Sequence, residues 1–134
     1  MIVVRGTAAK PSEQRSSTFT GEVWAHPLVP GVDGVTVATI FFAPCARTYW
    51  HRHERGQLLV ITAGEGLVCA DGRAPEPLRA GDVVWVAPGE RHWHGGSPGH
   101  FMTHTAVSLG TTQWDVEVAE AEYAAATRAR GNPG

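Results

Sequence analysis

The chain has 134 residues and a mass of 14.3 kDa, a length that favours a single domain with one core. Hydrophobic residues make up 43% of it, which is enough material for that core. The formal net charge is only −2, so the composition excludes the basic surface that binding to nucleic acids or anionic membranes requires.

The N-terminus and the two cysteines indicate the cellular compartment. The first residues have no basic region followed by a long apolar stretch, and no segment reaches the roughly eighteen apolar residues that span a bilayer. Cys45 and Cys69 lie in apolar runs without CxxC spacing, and we expect buried free thiols. A soluble, cytoplasmic protein is therefore expected.

Short apolar runs rich in β-branched and aromatic residues occupy the middle of the chain and predict strands. The runs are Val35–Phe42, Gln57–Ala63, Leu67–Ala70, Asp82–Ala87 and Phe101–Leu109. Turn signals separate them at intervals of about ten residues, which is typical of a sandwich or barrel. Gly64–Gly66 and Gly95–Gly96 are two of these signals.

One helix is predicted, near the C-terminus. The Ala- and Glu-rich stretch from Ala119 to Arg130 has helical composition, and Gly131 and Pro133 would end it. The fold class is therefore all-β, an antiparallel β-barrel with a short C-terminal helix. We divide the chain into an N-terminal arm or edge segment (1–20), the barrel (21–118) and the helix with its tail (119–134).

Seven histidines accompany a single lysine, and their spacing indicates a metal site. His51 and His53 are two residues apart, so both side chains project from one face of a strand. His92 and His94 repeat this arrangement. Two strands with inward-facing imidazole pairs supply several nitrogen ligands to a divalent ion from one side.

Three further histidines are assigned from their neighbours. His104 lies in the last predicted strand, where it would share a face with Met102, Ala106 and Ser108. His26 and His100 lie near proline residues, and we place both in loops without a functional role.

Two segments resemble the two conserved motifs of the cupin family. The first motif usually reads Gly, five residues, HxH, three or four residues, Glu, six residues, Gly. The segments are Cys45 to His53 with Gln57 and Gly64, and Gly81 to His92. The resemblance covers Val35 to Leu109 and implies the cupin jelly roll. Cys45 stands where the motif has its first glycine, and Gln57 stands where it has a glutamate.

The resemblance implies the metal ligands His51, His53, Gln57 and His92. Three neutral imidazoles and an amide oxygen bring no negative charge, so the ion would keep its full double charge. Such a site should favour an anionic fourth partner, such as cyanide, an alkoxide or an enolate.

The chain is similar, from about Phe19 to Tyr123, to the small bacterial cupins that act as manganese-dependent hydroxynitrile lyases. This resemblance implies cleavage of a cyanohydrin to an aldehyde or ketone plus cyanide. The cofactor would be a divalent metal ion, Mn²⁺ first, with Fe²⁺, Ni²⁺ and Zn²⁺ as alternatives. His104 is the first candidate for the base, and His94 is the second.

The remaining pocket residues follow from alternation along the strands. Ala38, Ile40 and Phe42 share a face and would wall the apolar end of the pocket, with His104, Ala106 and Ser108 opposite them. The hydroxyl groups of Thr48 and Ser108 could hydrogen-bond the substrate oxygen. The partner is thus a small molecule.

Two other functions compete with the lyase. One is a metal-dependent dioxygenase or a polyketide-cyclase-like cupin that acts on an enolisable substrate, although oxygen activation usually needs a carboxylate ligand. The other is a binding cupin without catalytic activity. Family resemblance also implies a homodimer or a higher homo-oligomer.

Overall fold

The computed structural model describes residues 1–6 and 10–131, which form twelve strands and one helix within those ranges. The first six strands are β1 (Glu13–Arg15), β2 (Phe19–Thr20), β3 (Val23–Val32), β4 (Val35–Phe42), β5 (Arg47–Thr48) and β6 (His51–His53). They are followed by β7 (Gln57–Ala70), β8 (Glu76–Arg79), β9 (Val83–Val86), β10 (His92–Gly96), β11 (Met102–Leu109), β12 (Thr112–Trp114) and the helix α1 (Glu120–Gly131).

The strands form a nearly closed antiparallel barrel. The hydrogen-bonded order is β1-β3-β4-β11-β7-β10-β5-β2, with β6, β8, β9 and β12 paired off this path. Strand β7 is 14 residues long and joins two halves. Its first residues pair with β9 and β11, which with β4, β3 and β1 form what we call sheet I. Its last residues pair with β8 and β10, which belong to sheet II together with β2, β5, β6 and β12.

Alternate residues of sheet I point into the barrel, and the apolar ones among them form its core. Buried residues of this core include Ile40, Phe42, Leu59, Ile61 and Met102. The antiparallel barrel and the short C-terminal helix predicted from the sequence are confirmed.

Helix α1 covers the outer face of sheet II. Trp50, Leu67 and Trp93 lie beneath it, in a second buried cluster with Val118 and Tyr123. The helix begins with acidic residues at its positive end, and the Ala119 amide donates to the Glu122 carboxylate. Pro133, predicted to follow the helix end, lies outside the described residues.

A buried arginine fastens this helix to the barrel. The Arg47 guanidinium donates to the Val118 carbonyl and, at 3.1 Å, to the Glu120 carboxylate. It also lies over the Tyr123 ring, 4.4 Å from the ring centroid. The Tyr123 hydroxyl donates to the Gly96 carbonyl at 2.7 Å. These bonds satisfy the buried charge that the apolar surroundings would otherwise penalise.

Two predicted glycine turns are wrong. Gly64–Gly66 lies inside β7, and Gly95–Gly96 ends β10. A Cβ on Gly64 would overlap the Phe101 backbone, and one on Gly95 would overlap the Ala46 and Arg47 backbone. These glycines permit close approach between segments, which the sequence cannot distinguish from a turn.

The N-terminal part of the chain contains a long strand that the sequence analysis missed. Strand β3 runs through Pro27 and Pro30, which disguise it, and pairs with β4 with irregular register. His26 lies in this strand and is buried, so its predicted place in a loop is wrong. Strands β1 and β2 pair at sheet edges, within the segment expected to be an arm or edge.

The cysteines are free, as expected, but they are not buried. Cys45 is exposed and Cys69 is partly exposed. Cys45 has a φ of 70°, in the left-handed region that glycine adopts without strain. Among the described residues, no helix is long and apolar enough to span a membrane.

Candidate metal centre and adjoining cavity

Three buried histidines converge at the pairing of β6 with β10. His51 and His53 face inward from β6 while Arg52 between them is exposed, as the two-residue period requires. His92 pairs directly with His51 across the two strands. One nitrogen from each of the three rings lies within 4.8 Å of the others.

Hydrogen bonds at the outer nitrogens turn these rings toward one another. The Nδ1 atoms of His51 and His92 lie 2.8 Å and 2.9 Å from the carbonyls of Tyr49 and Glu90. Since a carbonyl only accepts, each Nδ1 carries the hydrogen and each Nε2 presents a lone pair. His53 Nδ1 is hydrogen-bonded to the Thr112 hydroxyl at 3.1 Å, and its buried Nε2 has no partner within residues 1–6 and 10–131.

Gln57 completes this set of donor atoms from β7. Its Nε2 donates to the Ser108 hydroxyl at 3.0 Å, and its Oε1 lies 3.1 Å from His92 Nε2. His92 Nε2 presents a lone pair, so two acceptor atoms face each other. A divalent cation that both atoms would hold as ligands would make this contact favourable. The orphaned His53 nitrogen and this acceptor pair fit a divalent cation held by nitrogen and oxygen donors.

Burial keeps the three imidazoles neutral. Burial, followed by charge repulsion from His92, lowers the pKa of His51 well below 6.5. Burial also lowers the pKa of His53 to about 4. Burial also lowers the pKa of His92. Their lone pairs are therefore available near neutral pH without competition from protons.

A second pair of histidines lies beside this group. His104 Nε2 and His94 Nδ1 are 3.0 Å apart, and both rings are fully enclosed. Burial lowers the pKa of His104 to about 4, and burial followed by the neighbouring His104 lowers that of His94 well below its usual value. Among the residues that the structure describes, none is a hydrogen-bond partner of the remaining, outer ring nitrogens, His94 Nε2 and His104 Nδ1.

The five buried histidines of the two groups and Gln57, with the exception of His92, line one small cavity of about 120 Å³. It contains every predicted pocket and catalytic residue: Ala38, Ile40, Phe42, Thr48, His94, His104, Ala106 and Ser108. His51, His53 and Gln57 also line it, whereas His92 reaches the group through its contact with Gln57.

The walls of the cavity differ in one respect from the sequence expectation. Ile40 and Ala38 pair directly with His104 and Ala106, so β4 and β11 supply neighbouring parts of one wall rather than opposite walls. Phe19, Thr36, Thr112 and Trp114 also line the cavity and were missed. Alternation along β12 could have placed Thr112 and Trp114 on one face, but nothing in the sequence indicated Phe19.

The chain is similar to a known protein family and to a known enzyme. It matches the cupin domain family over residues 39–104. It is 48% identical over 91 residues to the (R)-mandelonitrile lyase of Granulicella tundricola, an alignment that covers 66% of this chain and 70% of that protein.

Solved structures show the same fold. A cupin-like protein from Thermotoga maritima superposes with a TM-score of 0.82 at 39% identity, over 85% of this chain and 92% of that one. The polyketide cyclase RemF of Streptomyces resistomycificus has a TM-score of 0.72 at 18% identity, over 99% of this chain and 95% of that one, and so shows likeness of fold alone. The buried histidines lie on a barrel shared with these relatives, and the chain belongs to the cupin family.

Proposed function

We propose that this protein is a metal-dependent carbon–carbon lyase that reversibly cleaves a cyanohydrin to an aldehyde or ketone plus cyanide. The observation that carries the proposal is the neutral His94–His104 pair, placed beside an uncharged set of metal donors in a small cavity. The 48% identity to a protein named (R)-mandelonitrile lyase supports it.

His51, His53, His92 and Gln57 would hold the divalent cation, for which we propose Mn²⁺. When bound, the cation supplies Lewis acidity, which lowers the pKa of a hydroxyl group and stabilises an anion. The four donors are uncharged, so they leave the charge of the cation uncompensated and strengthen this effect.

The His94–His104 pair provides a base and an acid at the same time. If His104 Nε2–H donates to His94 Nδ1, then His104 Nδ1 accepts a proton and His94 Nε2–H donates one. If the internal bond runs the other way, the two outer nitrogens exchange these roles. In either tautomer, one outer nitrogen of the neutral pair accepts and the other donates.

This pair accounts for both proton transfers of the cleavage. One outer nitrogen removes the hydroxyl proton, the carbon–oxygen bond becomes a carbonyl, and the carbon–carbon bond breaks with its electron pair on cyanide. The pair then returns a proton to cyanide, so that hydrogen cyanide and the carbonyl compound leave. Burial lowers the pKa of both histidines, which makes the protonated pair a ready donor.

The other cavity residues position the substrate. The Thr48 hydroxyl accepts from the His94 backbone amide at 3.2 Å, which leaves its hydrogen free to donate to the substrate oxygen. Ala38, Ile40 and Phe42 wall the cavity with apolar groups that exclude water and receive the substituent of the cyanohydrin.

Cyanide release tests the proposal directly. The purified protein, stripped of metal and reloaded with Mn²⁺, is incubated with racemic mandelonitrile and with acetone cyanohydrin, and cyanide is measured over time. We expect release above the metal-free control, with at least about a hundredfold loss in His94→Ala and in His104→Ala. Release that is equal with and without Mn²⁺, Fe²⁺, Ni²⁺ or Zn²⁺ would contradict the proposal.

Oxygen consumption separates the lyase from the dioxygenase. Among the described residues, the convergent metal-ligating group contains histidines and no carboxylate. Enzymes that activate oxygen at a mononuclear iron commonly add a carboxylate to two histidines. We therefore expect no oxygen uptake when the iron-loaded protein meets enolisable substrates.

A further inference from the structure

The residues that line the cavity of the proposed site differ in their exposure. Thr48, His94 and His104 are buried, whereas Trp114 is 40% exposed and Phe19 is partly exposed. A side chain that lines a cavity and also meets solvent borders the opening of that cavity. Phe19 and Trp114 therefore lie at the mouth, and we call them the mouth pair.

The mouth pair stands on two short edge strands of sheet II. Phe19 on β2 pairs with Thr48, and Trp114 on β12 pairs with His51, so each aromatic residue is one strand outward from a residue of the proposed site. The centroids of the two rings are 5.6 Å apart and their planes are tilted by 57°, which is an ordinary contact between aromatic side chains. The two rings thus bring together edge strands from opposite ends of the barrel sequence.

Aromatic contacts lead from the mouth pair to the reacting groups. The Phe19 ring lies 6.4 Å from the Phe42 ring, which lies 5.3 Å from the His104 ring. The Trp114 ring lies 4.6 Å from the His51 ring. A cyanohydrin whose reacting carbon lies beside His51 and His104 therefore has an apolar path along Phe42, which leads its substituent to the mouth pair.

The small volume of the cavity makes the mouth pair important for large substituents. The cavity has a volume of about 120 Å³. For comparison, an apolar cavity of about 150 Å³ holds one molecule of benzene. The reacting carbon, the oxygen and the nitrile already fill part of the smaller volume, so an aromatic substituent does not fit wholly inside. Its outer part reaches the mouth pair, whereas a methyl group stays within the cavity.

We propose that Phe19 and Trp114 determine substrate preference, because they bind an aromatic substituent more tightly than an alkyl one. The inference rests on the proposed lyase function, and neither residue takes part in its proton transfers. Two tilted rings present both a face and an edge, and an added aromatic ring prefers offset or edge-to-face contacts with them. Such contacts contribute free energy beyond simple burial, and an alkyl group does not receive this contribution.

Cyanide release from two substrates tests this preference. The quantity measured is the ratio of kcat/KM for mandelonitrile to kcat/KM for acetone cyanohydrin, with the Mn²⁺-loaded protein. We expect Phe19→Leu and Trp114→Leu each to lower this ratio about tenfold, because leucine keeps the mouth apolar but removes a ring. The KM for mandelonitrile should rise, since a contact remote from the breaking bond binds ground state and transition state alike. Trp114→Phe keeps a ring and should retain most of the ratio.

Two aromatic residues outside the cavity serve as matched controls. Phe101 is 44% exposed and Trp85 is 55% exposed, and neither is among the residues that line the cavity. Phe101→Leu and Trp85→Leu should leave the ratio as it is in the wild type. An unchanged ratio in Phe19→Leu and Trp114→Leu would overturn the inference. An equal loss with both substrates would also overturn it, because such a loss indicates a structural role for the rings.

Binding without turnover tests the mouth pair independently of the lyase reaction. Benzyl alcohol and 2-propanol are the two cyanohydrins with the nitrile replaced by hydrogen. In NMR titrations of the metal-free protein, we expect a lower dissociation constant for benzyl alcohol than for 2-propanol. Phe19→Leu and Trp114→Leu should each raise the constant for benzyl alcohol at least about threefold, and the two control variants should not.

The two measurements separate failure of this inference from failure of the proposed function. If benzyl alcohol binds the wild type no more tightly than it binds Phe19→Leu and Trp114→Leu, or no more tightly than 2-propanol does, the mouth pair has no such role, even where cyanide is released. If the expected binding differences are found but neither cyanohydrin releases cyanide, the role of the mouth pair is supported and the lyase function is refuted.

Discussion

Gln57 donates through Nε2 to the Ser108 hydroxyl at 3.0 Å, and this bond directs the Gln57 carbonyl oxygen toward His92 Nε2. The two residues lie on neighbouring strands, where β7 and β11 pair them directly. Ser108 thus determines that the oxygen of the Gln57 amide, and not its nitrogen, faces the histidines. The hydroxyl would not bind the metal itself, but it orients the residue that replaces the glutamate of the cupin motif.

Removing this hydroxyl should weaken metal binding. In Ser108→Ala the Gln57 amide loses its anchor and rotates freely, so we expect Mn²⁺ affinity by titration calorimetry to fall about tenfold or more. Ser108→Thr keeps a hydroxyl and should restore most of the affinity. Thr36 on β4 is the register partner of Ser108, and Thr36→Ala, which removes a hydroxyl that does not hold Gln57, should change the affinity little. Equal affinities for Ser108→Ala and the wild type would exclude this positioning role.

A carboxylate at position 57 should bind the cation better and catalyse less well. In Gln57→Glu the added negative charge attracts the cation, and we expect Mn²⁺ affinity to rise about tenfold after the cost of burying the charge. The same charge compensates the cation, so cyanide release should fall about tenfold. Gln113→Glu makes the same change at an exposed position and serves as the control. Unchanged or faster release by Gln57→Glu would refute the role given to the neutral donors.

Acid should destabilise the metal-free protein before its carboxylates titrate. The pKa of His104 is about 4 in the folded state, lowered by burial, against 6.5 in an unfolded chain. Between these two pKa values the unfolded chain binds a proton at His104 that the folded protein does not. The contribution of neutral His104 to stability is therefore fully present above pH 6.5 and is lost as the pH falls toward 4. The loss for this residue is on the order of 3 kcal/mol. Urea unfolding at pH 7.5, 5.5 and 4.5 measures it.

A matched pair of variants measures the contribution of His104. His104→Gln removes one of five buried titrating histidines, so it should reduce the pH dependence of the unfolding free energy by about one proton, while the other four keep the rest. His100→Gln changes an exposed histidine and should leave the dependence as it is in the wild type. If His104→Gln keeps the full acid sensitivity of the wild type, His104 does not contribute to it.

Replacing Cys45 by glycine, the residue that the cupin motif has at this position, should stabilise the folded protein. Its φ of 70° strains any residue that carries a Cβ, so Cys45→Gly should raise the unfolding free energy by up to about 1 kcal/mol. Cys69→Gly makes the same substitution inside β7 and should lower it by a similar amount. Chemical unfolding of both variants tests this, and a loss of stability in Cys45→Gly would show that the side chain contributes more than its backbone strain costs.

The local sequence pattern predicted the structure correctly wherever that structure depends on the two-residue period of a strand. Two-residue spacing determined that His51 and His53 share a face, and the apolar run from Val35 to Phe42 coincides with β4. The same pattern failed at Gly64 and at Pro27, because glycine at a close approach and proline in an irregular strand look like breaks in a one-dimensional reading.

The sequence by itself thus determined the barrel, the cupin motifs and the residues that face its interior, because these follow from alternation and short spacing. Only the tertiary structure decided how those residues are joined. The Gln57–Ser108 bond spans 51 positions, and the contact of His94 with His104 depends on how β10 and β11 both meet β7. Such relationships depend on strand register and barrel closure, which are set by packing across the whole chain and leave no local signal.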